Sequence, residues 1–161
     1  MLKEAQKWET KFKGASLFAD GSAIIRPLEL PWTDGPLEGL SFRLNHIDRQ
    51  TGGWTAFIKA GPNAVIPAHF NHGQVQTYIR EGSFSFDGHE LRHNDFYLDQ
   101  GGVASERVAG PEGVIYYVVF EGGFSRIGDD NKPTGTYIDC NYMYDLAAGN
   151  NAAEHLSPPK R

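Results

Sequence analysis

Hydrophobic and polar residues alternate along this chain in short runs, which glycine and proline interrupt throughout. Residues 40–45 (LSFRLN) place every second side chain on the same face, the pattern of a half-buried strand. Residues 114–121 are nearly all apolar and predict a strand buried on both faces. Only the first dozen residues and residues 142–148 could be helical. The pattern therefore predicts an all-β sandwich or barrel of short strands.

Turn residues delimit the other predicted strands. Gly82 is expected to separate a strand at 74–81 from its hairpin partner at 83–86. Asp87 and Gly88 form a dipeptide typical of a type I′ turn. Further strands are predicted at residues 23–30, 54–60 and 96–99.

Composition limits the class of protein. The 161 residues fit one domain, and the net charge of −5 disfavours nucleic acid or an anionic membrane as a partner. Cys140 is the only cysteine, so it is expected to be a buried core thiol, and an intrachain disulfide is excluded. The polar N-terminus lacks the apolar core of a signal peptide, and no run approaches the length of a membrane span. A cytoplasmic location is therefore the default expectation.

Two stretches of sequence resemble the motifs of the cupin superfamily. GPNAVIPAHFNHGQVQTYIREGSFSFDG is similar to the first cupin motif, with His-x-His and a closing glycine, and NDFYLDQGGVASERV resembles the second. GGWTAFIKA, AHFNHGQVQTYIREG and IGDDNKPTGTYIDCNYMYDL resemble the acetylacetone and 2,4′-dihydroxyacetophenone dioxygenase-like cupins and the related ChrR-type cupins. The resemblance implies an all-β double-stranded β-helix, the jelly-roll barrel. It predicts one cupin domain over residues 1–161, with the motifs at about 40–122 and a C-terminal extension at 123–161.

In such relatives three or four side chains, mainly histidines, hold a divalent metal inside the barrel. Carried over by motif position, His69 matches the first histidine of His-x-His, Asn71 the second, and Gln76 the spaced acidic or histidine ligand. The closing histidine of the second motif falls on Ser105, or on Glu106 if one residue is inserted. Of four expected ligand positions, only His69 keeps a typical ligand.

Two interpretations of the metal site follow. His69, Gln76 and Glu106 could hold iron, nickel or zinc weakly, joined by His72 if the strand bends at Gly73. Alternatively, His69 is hydrogen-bonded in a metal-free barrel, the interpretation that the missing ligands slightly favour.

Tyr78 and Arg80 are candidate ligand-binding or catalytic residues together with His69. If Gln76 faces the cavity, period-two alternation places Tyr78 and Arg80 on the same face, where the guanidinium could bind a carboxylate or enolate oxygen. A register shifted by one residue would instead point both outward. The sequence does not choose between the two registers.

The predicted function is that of a cupin with a small molecule in its barrel. By resemblance, the first hypothesis is a metal-dependent dioxygenase, an oxidoreductase acting on a small diketone or hydroxyaryl ketone. The alternatives are a sensory module that binds a small molecule, and a metal-free isomerase or lyase that uses His69 or Tyr78 as acid or base. Resemblance also implies a homodimer or higher homo-oligomer.

Overall fold

The computed structural model describes residues 9–159. Turns, many of which contain glycine, separate fifteen strands in this part of the chain, and one α-helix follows the last of them. The strands are β1 (Glu9–Phe12), β2 (Ala15–Phe18), β3 (Ala23–Ile25), β4 (Thr33–Asp34), β5 (Leu40–Asp48), β6 (Gly53–Ala60), β7 (Val65–Ile66), β8 (His69–Asn71), β9 (Val75–Phe86), β10 (His89–Arg92), β11 (Phe96–Asp99), β12 (Gly102–Ala104), β13 (Arg107–Phe120), β14 (Phe124–Ile127) and β15 (Pro133–Ile138). The helix is α1 (Cys140–Gly149).

The strands form three antiparallel sheets. An eight-stranded sheet has the order β10-β9-β13-β6-β5-β4, with β11 also paired to β9 and β7 to β13. A four-stranded sheet has the order β12-β8-β14-β15, and β1, β2 and β3 form a small N-terminal sheet. The side chains that line the central cavity come from both larger sheets, which together form the jelly-roll barrel.

The two longest strands, β9 and β13, are neighbours within the eight-stranded sheet. Their register shifts between Ala109 and Val114, opposite Gly82 on β9. Gly82 has a φ of +72°, and a Cβ there would lie 2.0 Å from the carbonyl oxygen of Gly113. Only glycine fits this backbone crossing. Because the strand continues past Gly82, Val75–Phe86 is one continuous strand rather than the predicted pair.

The predicted turn at Asp87 and Gly88 is confirmed. Both residues have positive φ, at 49° and 77°, as a type I′ turn requires. The turn joins β9 to β10, so the hairpin partner of residues 83–86 is residues 89–92.

The C-terminal helix is also confirmed. The side chain of Asp139 caps it by accepting a hydrogen bond from the Tyr142 backbone N–H at 3.0 Å. Cys140, Met143 and Ala147 are buried on its inner face, so Cys140 is a core thiol as expected.

The N-terminal expectations need two corrections. Residues 9–12 form β1 rather than a helix, while residues 1–8 lie outside the described part of the chain. The strand predicted at 23–30 ends at Ile25 because Pro27 begins a 3-10 turn that extends to Glu29.

The outer face of the large sheet carries a row of aromatic residues. Phe57 pairs with Tyr117, Tyr117 with Tyr78, and Tyr78 with Phe96 across successive strands. Tyr78 and Phe96 are exposed at the end of this row. The expected homo-oligomer stays a prediction, and this face is a candidate for its interface. Among the described residues, α1 is the one α-helix, and it is too short and polar to cross a membrane.

Candidate functional site

A cavity of about 50 Å³ lies inside the barrel between the two larger sheets. Most of its wall is apolar, including Phe42, Ile58, Val118 and Phe124. The polar and charged side chains that also line it are Ser41, His69, Asn71, Thr77, Asp99, Arg107 and Tyr116. An apolar cavity with a few converging polar groups is the usual form of a small-molecule site.

Asp99 and Arg107 form an ion pair at one side of this cavity. Arg107 Nη2 lies 3.8 Å from Asp99 Oδ2, and the two side chains are only 13% and 10% exposed. The Gly101 backbone N–H donates to Asp99 Oδ1 at 2.8 Å, and Asn71 Nδ2 donates a long hydrogen bond of 3.4 Å to Oδ2. The carboxylate therefore has both oxygens engaged by the protein.

Three aromatic rings hold the guanidinium of Arg107. Its central carbon lies 4.9 Å from the ring centroid of Phe86, 5.4 Å from that of Phe84 and 5.9 Å from that of Tyr97. Such contacts stabilise a cation that has been removed from water. The planar group is thus fixed in orientation before any ligand enters.

His69 is held in one tautomer. Its Nδ1 lies 2.9 Å from the Pro67 carbonyl oxygen, which can only accept, so Nδ1 carries the proton and Nε2 carries the lone pair. Burial lowers the pKa of His69; the nearby Arg107 also lowers it, while the Pro67 hydrogen bond and Asp99 partly oppose the shift. The ring is therefore neutral at pH 7, with an acceptor nitrogen that makes no hydrogen bond to the described residues.

Other polar atoms of the site are also buried and have no partner in the described part of the chain. They are Nε of Arg107, a donor, and Oδ1 of Asn71, an acceptor, and a third such atom is the indole Nε1 of Trp54, a donor on another residue of the cavity wall. Leaving such atoms unpaired costs free energy, so they favour an occupant that pairs with them. Burial raises the pKa of Tyr116 to about 12, so its hydroxyl stays protonated and can donate.

The residues predicted on β9 do not reach this cavity. Val75, Thr77 and Ile79 are its inward row, whereas Gln76 and Tyr78 are exposed and Arg80 is half-buried over the ring of Phe57. Gln76 therefore does not line the cavity as the motif implied, and of the two registers left open for Tyr78 and Arg80 the structure has the outward one. The His72–Gln74 connection carries the chain from β8 to β9 through Gly73, which has a φ of +144°. This connection decides which alternate residues of β9 face the cavity, and strand alternation alone does not give that information.

The remaining predicted ligands also lie elsewhere. His72 is exposed, and its Nε2 is 2.8 Å from the hydroxyl of Ser125. Glu106 is exposed, and the hydroxyl of Ser105 donates to Asp87 on the surface. Neither Ser105 nor Glu106 lines the cavity. On β12 the residue opposite His69 is the buried Ala104.

The residues of the cavity do not fit a divalent metal. His69 is its one imidazole, and Asp99, its one carboxylate, is already engaged by Arg107, Asn71 and a backbone N–H. Within residues 9–159, no three His, Cys, Asp or Glu side chains are arranged to hold a metal ion. Iron, nickel and zinc normally require more nitrogen, sulfur or carboxylate ligands than this set offers.

Asp99 and Arg107 are the site residues that sequence reasoning missed. Asp99 ends the predicted strand at 96–99 and pairs with the inward-facing Val75, which fixes its direction. Arg107 begins β13, just after the two residues considered for the second motif. The signal for Asp99 was a carboxylate at the end of an otherwise apolar strand, but the direction of its side chain depends on that cross-strand register.

The fold and the cavity define a cupin, and comparison with known proteins identifies the family. The model of the ChrR cupin-like domain family matches residues 20–125, and the chain belongs to this family. No curated protein matches the sequence.

Several solved structures share the fold. An acetylacetone dioxygenase from Acinetobacter johnsonii has a TM-score of 0.62 and 18% identity, with 73% of this chain and 80% of that chain covered. A candidate acetylacetone dioxygenase from Methylibium petroleiphilum PM1 has a TM-score of 0.67 and 18% identity, covering 81% and 94%. An RmlC-like cupin protein from Ralstonia eutropha JMP134 has a TM-score of 0.65 and 16% identity, covering 83% and 88%. At these identities the likeness shows the fold.

Proposed function

We propose that this cupin binds a small, neutral, oxygen-bearing molecule in its barrel without a metal. The observation that carries the proposal is the set of unpaired atoms on residues of one cavity: donors on Arg107 and Trp54, and acceptors on Asn71 and His69. A ligand that combines a carbonyl oxygen with a hydroxyl group would pair with both kinds of atom. This choice takes the binding alternative over the dioxygenase hypothesis because the metal ligands do not fit.

The charge of the cavity favours a neutral ligand. Arg107 and Asp99 neutralise each other, and His69 is uncharged at pH 7. An anion would bring an unpaired charge into an apolar space, which is costly. The volume of about 50 Å³ has room for roughly four water molecules. A small hydroxyketone or a compact β-diketone is therefore the class that suits the site best.

Calorimetry with hydroxyacetone tests the proposal, and 2-butanone is the matched ligand that lacks the hydroxyl donor. We expect hydroxyacetone to bind, and Asn71→Leu to weaken it about 5- to 10-fold, the usual effect of losing one hydrogen bond. Gln76→Leu, on the exposed face of β9, should leave the affinity unchanged. Equal hydroxyacetone affinity in the wild type and Asn71→Leu would contradict the proposal.

A second candidate function, proton transfer beside the carbonyl, is supported by the fixed tautomer of His69. Nε2 of His69 could take a proton from the carbon next to the carbonyl, while the C–H electron pair forms the enolate and Arg107 stabilises its oxygen. Returning the proton to the same carbon regenerates the ketone, which is exchange; delivering it to the former carbonyl carbon, while the hydroxyl proton moves to the enolate oxygen, gives the isomeric hydroxyaldehyde. Exchange of the hydroxymethyl C–H of hydroxyacetone in D₂O measures this step. Exchange at the same rate in wild type and His69→Gln would contradict it.

A further inference from the structure

A second cavity lies outside the barrel, between the N-terminal sheet, β5 and the C-terminal residues. It measures about 490 Å³, and none of its lining residues belongs to the barrel cavity. Its walls are partly apolar, with Leu17, Phe18, Ile25, Ile47 and Leu156, and partly polar, with Asn45, His46, Arg49, His155 and Ser157. It is therefore independent of the site described above.

A β-bulge places the first polar residue, Asn45, at the wall of this cavity. The register of β5 against β6 shifts between Leu44 and His46, so Asn45 is an extra residue in the ladder. Asn45 lines the cavity, and its Oδ1 is buried without a hydrogen-bond partner in the described part of the chain. This oxygen is an acceptor that the protein leaves unpaired.

His155 supplies the second acceptor. It is only 3% exposed, and its Nε2 lies 2.8 Å from the Leu44 carbonyl oxygen, beside the bulge. Because a carbonyl can only accept, Nε2 carries the proton and Nδ1 keeps the lone pair. That Nδ1 is buried and unpaired within residues 9–159, and His155 lines the same cavity as Asn45.

Charge narrows the class of ligand. Arg49 lines the cavity, but its Nε donates to Asn141 and its Nη2 to the Ser157 carbonyl, so two of its donor groups are committed. No Asp or Glu is among the described lining residues, so a cation would meet Arg49 without a counter-charge. An anion would face two acceptor atoms. A neutral hydrogen-bond donor avoids both the repulsion from Arg49 and the repulsion from the two acceptor atoms.

We propose that this cavity is a second ligand site, for a neutral alcohol or phenol whose hydroxyl donates to Asn45 Oδ1 and lies beside His155, which lines the same cavity. The apolar rings or chains of such a molecule would contact the aliphatic and aromatic walls. The site is separate from the barrel, so it does not depend on the function proposed there.

Phenol is the probe, with toluene as the matched molecule that lacks a donor. We expect phenol to bind the full chain and Asn45→Leu to weaken it about 5- to 10-fold, because one hydrogen-bond acceptor is lost. Toluene should bind Asn45→Leu as well as it binds the wild type. An equal loss for phenol and toluene would overturn the assigned hydrogen bond.

Two further measurements locate the site. Ala23 is exposed at the cavity wall, so Ala23→Trp should block phenol while hydroxyacetone binding in the barrel is unchanged. In wild-type protein, the ¹⁵N signal of His155 Nδ1 should shift on phenol addition, which requires no variant to fold. Phenol binding that survives Ala23→Trp, or an unmoved His155 signal at saturating phenol, would overturn the proposal.

Discussion

Removing the charge of Arg107 tests how the barrel holds its ion pair. Arg107→Met keeps the aliphatic stem but leaves Asp99, only 10% exposed, without its counter-charge. Breaking a buried pair from one side typically costs about 3–5 kcal/mol. The separation of 3.8 Å is long, and Asp99 keeps the Gly101 N–H at 2.8 Å. We therefore expect a loss of about 3 kcal/mol in the free energy of unfolding, at the lower end of that range.

Removing the carboxylate charge as well should restore most of this stability. In Arg107→Met with Asp99→Asn, no unpaired charge remains, and the new side-chain amide oxygen can still accept from the Gly101 N–H. Replacing a buried pair with neutral groups is often close to neutral in energy. The lost contacts of the guanidinium with Phe84 and Phe86 cost about 1 kcal/mol in total. The double variant should thus lie about 1 kcal/mol below wild type.

Urea unfolding of the wild type, both single variants and the double variant at pH 7 measures the coupling energy directly. The account requires the double variant to be more stable than Arg107→Met by about 2 kcal/mol. If Arg107→Met lowers the free energy of unfolding by less than about 1 kcal/mol, and the effects of the two substitutions are additive, then Arg107 and Asp99 do not form a buried ion pair.

Three further predictions concern pH, the β9–β13 crossing and metal binding. Burial lowers the pKa of both His69 and His155, so the unfolded chain binds more protons than the folded chain as pH falls below about 6.5. Stability to urea should therefore be full at pH 7.5 and decrease towards pH 5. His69→Gln should make this decrease smaller. Gly82→Ala forces a Cβ to within 2.0 Å of a carbonyl oxygen at positive φ and should lower the free energy of unfolding by about 3 kcal/mol. The double variant Asn71→His with Ala104→His would place two imidazoles beside His69, because Ala104 pairs directly with His69. Elemental analysis of this variant should then find near-stoichiometric zinc.

Each of these predictions has a control in the same chain. His93 is exposed, so His93→Gln should leave the pH slope unchanged, and an equal effect of both substitutions would contradict the role of burial. Gly39 has a φ of +78° but open space around its Cβ position, so Gly39→Ala should cost only about 1 kcal/mol. Wild-type protein supplies the metal control, and zinc at the same level in wild type and double variant would show that residues 71 and 104 do not face His69.

The sequence was sufficient for the fold class because that information is local. Alternation over residues 40–45, the Asp87–Gly88 turn and the apolar run at 114–121 each correspond to a strand or turn of the structure. Strand limits were less predictable where tertiary contacts decide them. Gly82, for example, looks like a strand end, but it allows β9 to continue past β13 at a close backbone crossing.

The site was only partly predictable, because its composition depends on register between distant strands. His69 was found from its motif, and it lines the cavity. Counting along the motif placed Gln76 inward, whereas the connection through Gly73 turns Val75 and Thr77 inward instead. Asp99 and Arg107 meet across 3.8 Å although eight positions separate them along the chain. No local pattern encodes that contact.

The barrel is proposed to bind its ligand through Arg107, Asn71 and His69 without a metal. The most direct test is calorimetric titration of hydroxyacetone into protein treated with EDTA, and into the same protein after incubation with Fe²⁺, Ni²⁺ or Zn²⁺. We predict the same dissociation constant in every case. Binding that occurs only after a metal is added would contradict the account and return the dioxygenase hypothesis to first place.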